Sequence, residues 1–201
     1  MSTGFQFVID NASEISMDNQ LVTAQTVSRD GTVRTTSRGG STWVFNVTFA
    51  AGMPFTDLRV GHGTVMAKGK HNSDTFTLNS TFLGKYMGNS STLSGWTASG
   101  VSGNTLTVSG GNASSGFKLR AGDLIQLGAS GHVYQVTADV AHNSSSVTVH
   151  RPILEIGYSG SINVGPNCSF KVMCTRLPEI KAFDYNLGTY SGPFEFAEDM
   201  T

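Results

Sequence analysis

One eight-residue segment constrains the fold of this chain more than any other. In Thr42–Phe49 a large apolar side chain stands at every second position, and the intervening positions are mostly polar. The apolar set is Trp43, Phe45, Val47 and Phe49. Because successive side chains of a β-strand point to opposite faces, this spacing predicts a strand with one face in a core and the other in solvent.

Weaker alternation recurs in three further segments, and these are Phe5–Ile9, Leu21–Val27 and Thr75–Leu78. The dipeptide Asp30-Gly31 lies between Leu21–Val27 and Thr32–Thr36, and this dipeptide is typical of a hairpin turn. The pattern therefore predicts an all-β chain built from antiparallel strands.

Met53–Ala67 is the best helix candidate. Pro54 could open such a helix, and Thr56 or Asp57 could cap it. Gly61 and Gly63 would each weaken it by about 1 kcal/mol relative to alanine. We expect at most one short, imperfect helix.

A compact β module is predicted between two glycine-rich stretches, residues 84–104 and 157–166, which have the composition of connections. Its expected strands are Thr105–Ser109, Leu124–Leu127, His132–Val140 and Ser146–His150. Their spacing suits a small closed barrel of about five strands, because closure removes exposed edges.

Ser169–Thr175 is a further predicted strand, and it returns the chain to the first domain. The sequence therefore predicts a discontinuous first domain of residues 1–90 and 164–201, with residues 91–163 as an inserted barrel. The C-terminal segment contains five aromatic residues after position 182, so we expect it to pack on something.

Charge argues against several classes of protein. Only 13% of the residues are charged, and the net charge is -1, which excludes a disordered polyelectrolyte and weakens any reading as a nucleic-acid binder. Residues 29–85 are mainly basic and residues 179–201 mainly acidic, so neighbouring subunits could pair through them; two solvated faces explain the pattern equally well.

No stretch approaches the 18 or so apolar residues of a membrane span, and no membrane insertion is expected. Met1–Asp10 lacks the basic and apolar regions of a signal peptide. Cys168 and Cys174 would lie far apart on one strand, so we expect free thiols in a protein made in a reducing compartment.

Searching for catalytic motifs yields nothing specific. The chain has no Gly-x-Ser-x-Gly elbow and no phosphate-binding loop, and its histidines lack the spacing of metal ligands. We therefore predict no catalytic, cofactor-binding or metal residues, no cofactor and no enzymatic activity. In the barrel, Phe117 and Tyr134 are expected in the core; sugar binding remains the alternative because it needs few charges.

The order of several segments resembles a known family. These segments are Trp43–Val47, Pro54–Arg59, Gly103–Val108, Leu119–Leu127, His132–Thr137, Val147–Pro152, Phe170–Val172 and Leu177–Glu179. Together they resemble the distal tail proteins of long-tailed bacteriophages, over most of the chain after residue 40.

The resemblance implies a β-sandwich domain that assembles into a homo-oligomeric ring, commonly a hexamer, in the phage virion. Such a ring joins the tail tube protein to the tail-tip hub proteins and leaves a channel through which DNA passes without specific binding. Some members carry an inserted OB-like barrel, and the family has no catalytic residues to carry over. Phe5–Val27 and the aromatic C-terminus are candidate assembly arms.

Two other classes remain open. One is a carbohydrate-binding adhesin module of a virion or cell surface, with a host glycan on the inserted barrel. The other is a structural decoration domain of a virion.

Overall fold

The structure is a computed structural model, and it describes residues 4–69, 72–78, 95–110, 116–129, 131–182 and 186–200. In segments 22–26 and 34–39 only the backbone is described. The chain divides into two compact units: unit 1 comprises Met1–Asp74 with Val172–Thr201, and unit 2 comprises Thr75–Lys171. The sequence placed these boundaries at 90/91 and 163/164.

The elements before the second unit are α1 (Phe5–Asp10), β1 (Ala12–Val27), β2 (Val33–Phe49), β3 (Met53–Pro54), α2 (Phe55–Lys68) and β4 (Asp74–Thr77). Those that follow are β5 (Trp96–Ser102), β6 (Thr105–Ser109), β7 (Phe117–Leu119), β8 (Leu124–Leu127), β9 (Val133–Gln135), β10 (Val140–Ala141), β11 (Ser146–Thr148), β12 (Gly160–Val164) and a 3-10 turn at Gly165–Asn167. The last elements are β13 (Ser169–Arg176), β14 (Ile180–Ala182), β15 (Leu187–Tyr190) and β16 (Phe194–Glu198). The all-β prediction is confirmed.

In unit 1 four neighbouring strands run in the order β1-β2-β16-β13, and a smaller sheet has the order β14-β15-β3. The alternation of Thr42–Phe49 is confirmed, because Trp43, Phe45, Val47 and Phe49 are all buried. The ring centroid of Phe5 in α1 lies 5.1 Å from that of Phe196 in β16, so α1 covers this sheet face.

The prediction of a strand at Phe5–Ile9 is wrong, since these residues form α1. Four of its six residues are buried, namely Phe5, Phe7, Val8 and Ile9. Only Asp10 is exposed and Gln6 partly so, and a helix of six residues with this little exposed surface has no period that the sequence could reveal.

Helix α2 has 14 residues and is longer than the short helix expected. It begins directly after Pro54, and this N-cap residue makes no side-chain capping bond. The predicted caps Thr56 and Asp57 lie inside the first turn instead, where the positive end of the helix dipole stabilises the Asp57 carboxylate. A Cβ atom at Gly61 would lie 2.3 Å from Cε1 of Phe7. This glycine lets α1 and α2 approach each other.

Unit 2 contains a six-stranded sheet in the order β11-β6-β5-β12-β8-β9 and a pair formed by β7 and β10. A single bridge between Val136 and Val149 joins the two ends of the larger sheet, which is therefore curled and partly barrel-like. The five-strand estimate missed β5 and β12, because both lie in the stretches taken as glycine-rich connections. The single strand expected at His132–Val140 is also wrong, since β9 ends at Gln135 and β10 begins at Val140.

Near the C-terminus the strand expected at Ser169–Thr175 is confirmed as β13. Strand β16 lies between β2 and β13, and Phe194 and Phe196 are fully buried. The prediction that the aromatic C-terminus forms an arm is therefore wrong for this segment; Phe183 and Tyr185 lie outside the described residues.

Candidate functional site

The long hairpin of β1 and β2 is the first candidate interaction surface. The two strands contain 16 and 17 residues, and their pairing runs from Ala12 opposite Phe49 to Val27 opposite Val33. Strand β16 pairs with β2 only over Val44–Val47. The distal hairpin, defined here as residues 21–41, therefore extends beyond the part of β2 that β16 covers.

Exposed apolar side chains mark this distal hairpin. Leu21, Val27 and Val33 are 67%, 70% and 57% exposed, and the two valines lie directly opposite each other. Alternate side chains nearer the core, Ile15 and Met17, are only partly exposed. Val27 and Val33 thus form one small exposed apolar pair beside the turn, and Leu21 is exposed six residues before Val27 on β1.

A break in the pairing separates the distal hairpin from the rest. The register changes between Leu21, which faces Ser41, and Thr23, which faces Ser37. Strand β2 thus has extra residues there, and two of them are Gly39 and Gly40. A bulge of this kind bends a hairpin and increases its twist, so it sets the direction of the distal hairpin.

The turn predicted at Asp30-Gly31 is confirmed. The Asp30 carboxylate accepts a hydrogen bond from the Ser28 hydroxyl and one of 3.0 Å from the Thr32 amide. These bonds lower the pKa of Asp30 to about 2. Gly31 has φ of 84°, a conformation that glycine adopts without strain. The hairpin end is therefore an ordered turn.

Unit 2 contains the second candidate, a pocket of about 270 Å³. Its lining residues are Leu127, Gly131, His132, Leu154, Glu155 and Tyr158. Glu155 Oε1 accepts a 2.6 Å hydrogen bond from the backbone amide of His132. The same oxygen lies 3.0 Å from His132 Nδ1. Glu155 Oε2 accepts a 2.6 Å hydrogen bond from the Tyr134 hydroxyl. Two lining residues of the pocket, His132 and Glu155, therefore belong to a polar cluster that also includes Tyr134.

These contacts alter the titration of the cluster. Burial raises the pKa of Glu155, but hydrogen bonds from His132 and Tyr134 outweigh this effect and lower it to about 2. Burial, followed by the hydrogen bond to Glu155, raises the pKa of Tyr134. Glu155 is therefore a carboxylate at neutral pH and Tyr134 a neutral phenol, so neither is poised to exchange a proton near pH 7.

Arg151 and His150 complete the cluster. The Arg151 guanidinium lies 5.1 Å from the ring centroid of Tyr134 and donates a 3.2 Å hydrogen bond to the carbonyl of Val133. Burial, followed by the charge of Arg151, lowers the pKa of His150 to about 4. His150 Nδ1 accepts a 2.9 Å hydrogen bond from the Gln135 amide, so the neutral imidazole ring provides an acceptor for this backbone N–H group.

The histidines considered in the sequence are dispersed. His132 and His150 belong to the polar cluster, His142 is exposed, His62 lies in α2, and His71 is outside the described residues. Among the described residues no group of three or more His, Cys, Asp or Glu side chains could hold a metal ion. Sequence reasoning missed Glu155 and Tyr158, because both lie in an irregular segment without a pattern.

The sequence also led to expectations for the two cysteines and for two aromatic residues of the barrel. Cys168 and Cys174 form no disulfide with each other, as predicted, and both are buried. Burial raises the pKa of Cys168. Tyr134 lies in the core, as predicted, but Phe117 is 40% exposed with the Arg120 guanidinium 5.4 Å from its ring centroid. Phe117 stands in the two-stranded pair of β7 and β10, so alternation with only three residues could not decide which way it points.

Among the described residues no helix is long and apolar enough to cross a membrane. Comparison of the chain with protein-family models finds no match, and comparison with curated proteins finds none either.

Proposed function

We propose that this protein is a structural component of a phage tail tip. In this role copies of the chain form a ring, commonly a hexamer, that joins the tail tube protein to the tail-tip hub proteins. One observation carries the proposal, namely the distal hairpin, which is paired to its end and exposes Leu21, Val27 and Val33. The order of segments that resembles distal tail proteins supplies the location in the virion.

A ring built from one chain repeats the same head-to-tail contact until rotation closes it. A projecting hairpin suits this geometry, because it reaches a neighbour without disturbing the core of its own unit. The net charge of -1 suits a channel wall, since many basic groups would hold the phosphates of passing DNA. In the proposed role DNA passes through the ring without specific binding.

Mass and shape in solution test the proposal. We expect light scattering and electron microscopy of the purified chain, alone and with the tube and hub proteins, to find a closed ring with an open centre. The comparison is with a variant in which Asn-Gly replaces Val22–Gly40, so that a two-residue turn joins Leu21 to Ser41. This variant should fold and remain monomeric. A full-length chain that stays monomeric even with those partners would rule out the ring.

The pocket in unit 2 favours a second candidate function, binding of a carbohydrate by a virion or cell-surface module. The Tyr158 ring offers an apolar face, and His132 and Glu155 lie beside it. Sugars bind through such combinations of ring faces and polar groups. A glycan array with the wild type and with Tyr158→Ala tests this function; binding that the substitution leaves intact would exclude the pocket.

A further inference from the structure

Charge is distributed unevenly along the hairpin. Residues 10–20 contain Asp10, Glu14 and Asp18 and no basic residue. Residues 21–41 contain Arg29, Arg34 and Arg38 against the single acid Asp30. Residues 42–49 are uncharged. The proximal part of β1 is therefore acidic, and the distal hairpin is basic.

The acidic groups lie where a partner could reach them. Glu14 and Asp18 are exposed, and they are four residues apart on β1, so they share one face. Strand β1 is the first strand in the order of its sheet, and no further strand of the described chain lies on its outer side. Arg29 is likewise exposed beside the ordered turn.

We propose that the distal hairpin of one copy, which is basic by sequence, docks along residues 10–20 of a second copy and meets the exposed Glu14 and Asp18 there. The contact runs head to tail, so each copy offers its own acidic segment to the next. This inference rests on the proposed ring and specifies the contact that builds it. Exposed Leu21, Val27 and Val33 supply the apolar part of the interface.

The occupant is a second copy because the chain itself carries both halves of a complementary pair. Contact of two distal hairpins would bring two basic segments together, and contact of two proximal segments would bring two acidic segments together. Both arrangements are repulsive, whereas the head-to-tail arrangement is attractive. Charge thus selects the heterologous contact that a ring requires.

A charge-exchange experiment tests the contact. One variant, R29E/R34E/R38E, makes the distal hairpin acidic; the other, E14K/D18K, makes the proximal segment basic. We expect each variant alone to self-associate roughly tenfold or more weakly than the wild type at low salt. An equimolar mixture should recover the wild-type mass, because each distal hairpin then meets a proximal segment of opposite charge.

The matched control is R59E/R120E/K181E, which changes the net charge as much as the first variant does. Its three residues are exposed and lie outside the hairpin, so it should assemble as the wild type does. Equal urea midpoints would establish that every variant folds. Wild-type assembly by both hairpin variants, or a mixture that fails to recover, would overturn the contact and leave the proposed ring standing. A wild type that never assembles would defeat the ring itself.

Cross-linking gives an independent readout if a charge variant fails to fold. A chain with Val27→Cys is mixed with a chain with Ser16→Cys and treated with a short bismaleimide. Buried Cys168 and Cys174 should not compete. We expect the mixed dimer to exceed both homodimers; a predominance of either homodimer would overturn the head-to-tail direction.

Discussion

The Tyr134 hydroxyl donates a 2.6 Å hydrogen bond to Glu155 Oε2 and accepts one of 2.9 Å from the Leu154 amide. One phenol oxygen thus holds the segment after β11 against β9. Tyr134 is fully buried in the curled sheet. Its hydrogen bond to Glu155 therefore also holds in place a residue that lines the pocket.

Tyr134→Phe should destabilise the protein by about 1–3 kcal/mol, because it leaves a carboxylate oxygen and an amide without their partner. Urea unfolding measures this change. Tyr158→Phe is the control: its hydroxyl donates a 2.7 Å bond to the Ser161 carbonyl at an exposed position. We expect that substitution to cost less than the first, and equal losses would contradict the role assigned to Tyr134.

Stability should fall as the pH drops from about 6.5 to about 4. His150 has a pKa of about 4 in the folded protein and an ordinary value of 6.5, so in this window the unfolded chain binds the additional proton. The contribution of neutral His150 is complete above pH 6.5 and is lost toward pH 4. Urea midpoints at four pH values between 7.5 and 4 measure the slope.

His150→Asn should flatten this slope, because the amide oxygen still accepts the Gln135 hydrogen bond and does not titrate. His142→Asn is the control, since His142 is exposed and should leave the slope unchanged. A slope that survives His150→Asn would assign the proton uptake to another group.

Glu155 should produce a second loss at lower pH. Its folded pKa is about 2 against an ordinary 4.5, so its contribution is present above pH 4.5 and is lost as the pH falls toward 2. Glu155→Gln should remove this part of the acid transition. The measurement is the fluorescence or circular dichroism midpoint of acid unfolding in the wild type and variant.

Two glycines of α2 should respond in opposite ways to alanine. At Gly63 a Cβ atom would meet nothing within 4 Å, so Gly63→Ala should stabilise the protein by about 0.5–1 kcal/mol. At Gly61 it would meet the buried Phe7 ring, so Gly61→Ala should destabilise it by about 1–3 kcal/mol. Thermal unfolding of both variants checks the signs; equal signs would contradict the close packing of α1 on α2.

Phe196→Ala should cost about 3–5 kcal/mol, because the ring is fully buried beside Phe5. Deleting residues 187–200 should unfold unit 1, since it removes the strand between β2 and β13. Circular dichroism distinguishes this outcome from the loss of a mere assembly arm, which would leave the strand signal intact.

Prediction from sequence succeeded where a segment has one buried and one exposed face. Thr42–Phe49 and Thr105–Ser109 are of this kind and lie in strands at the expected positions. Leu124–Leu127 was also located correctly, although all four of its residues are buried, because it is a short apolar run between turn residues. Prediction failed for α1, which is buried on nearly every side, and for β5, whose Trp96 and Ala98 stand among glycine and serine. In both cases the local pattern carries too little contrast to reveal the element.

The polar cluster could not be predicted for a different reason. Glu155 is separated from His132 and Tyr134 by 23 and 21 residues, and no motif joins them. Only the curling of the sheet, closed by the bridge from Val136 to Val149, brings these segments together. From the sequence alone, Glu155, His132 and Tyr134 are three separate residues with no indication that their side chains meet.

The sequence by itself determined the all-β class, the hairpin turn at Asp30-Gly31 and the opposite charges along the hairpin, because each depends on residues close together in the chain. Tertiary structure decided that β16 is a central strand, that Glu155 meets Tyr134, and that the distal hairpin extends beyond β16. These three features depend on strand order and register, which arise from contacts between distant segments that no local pattern encodes.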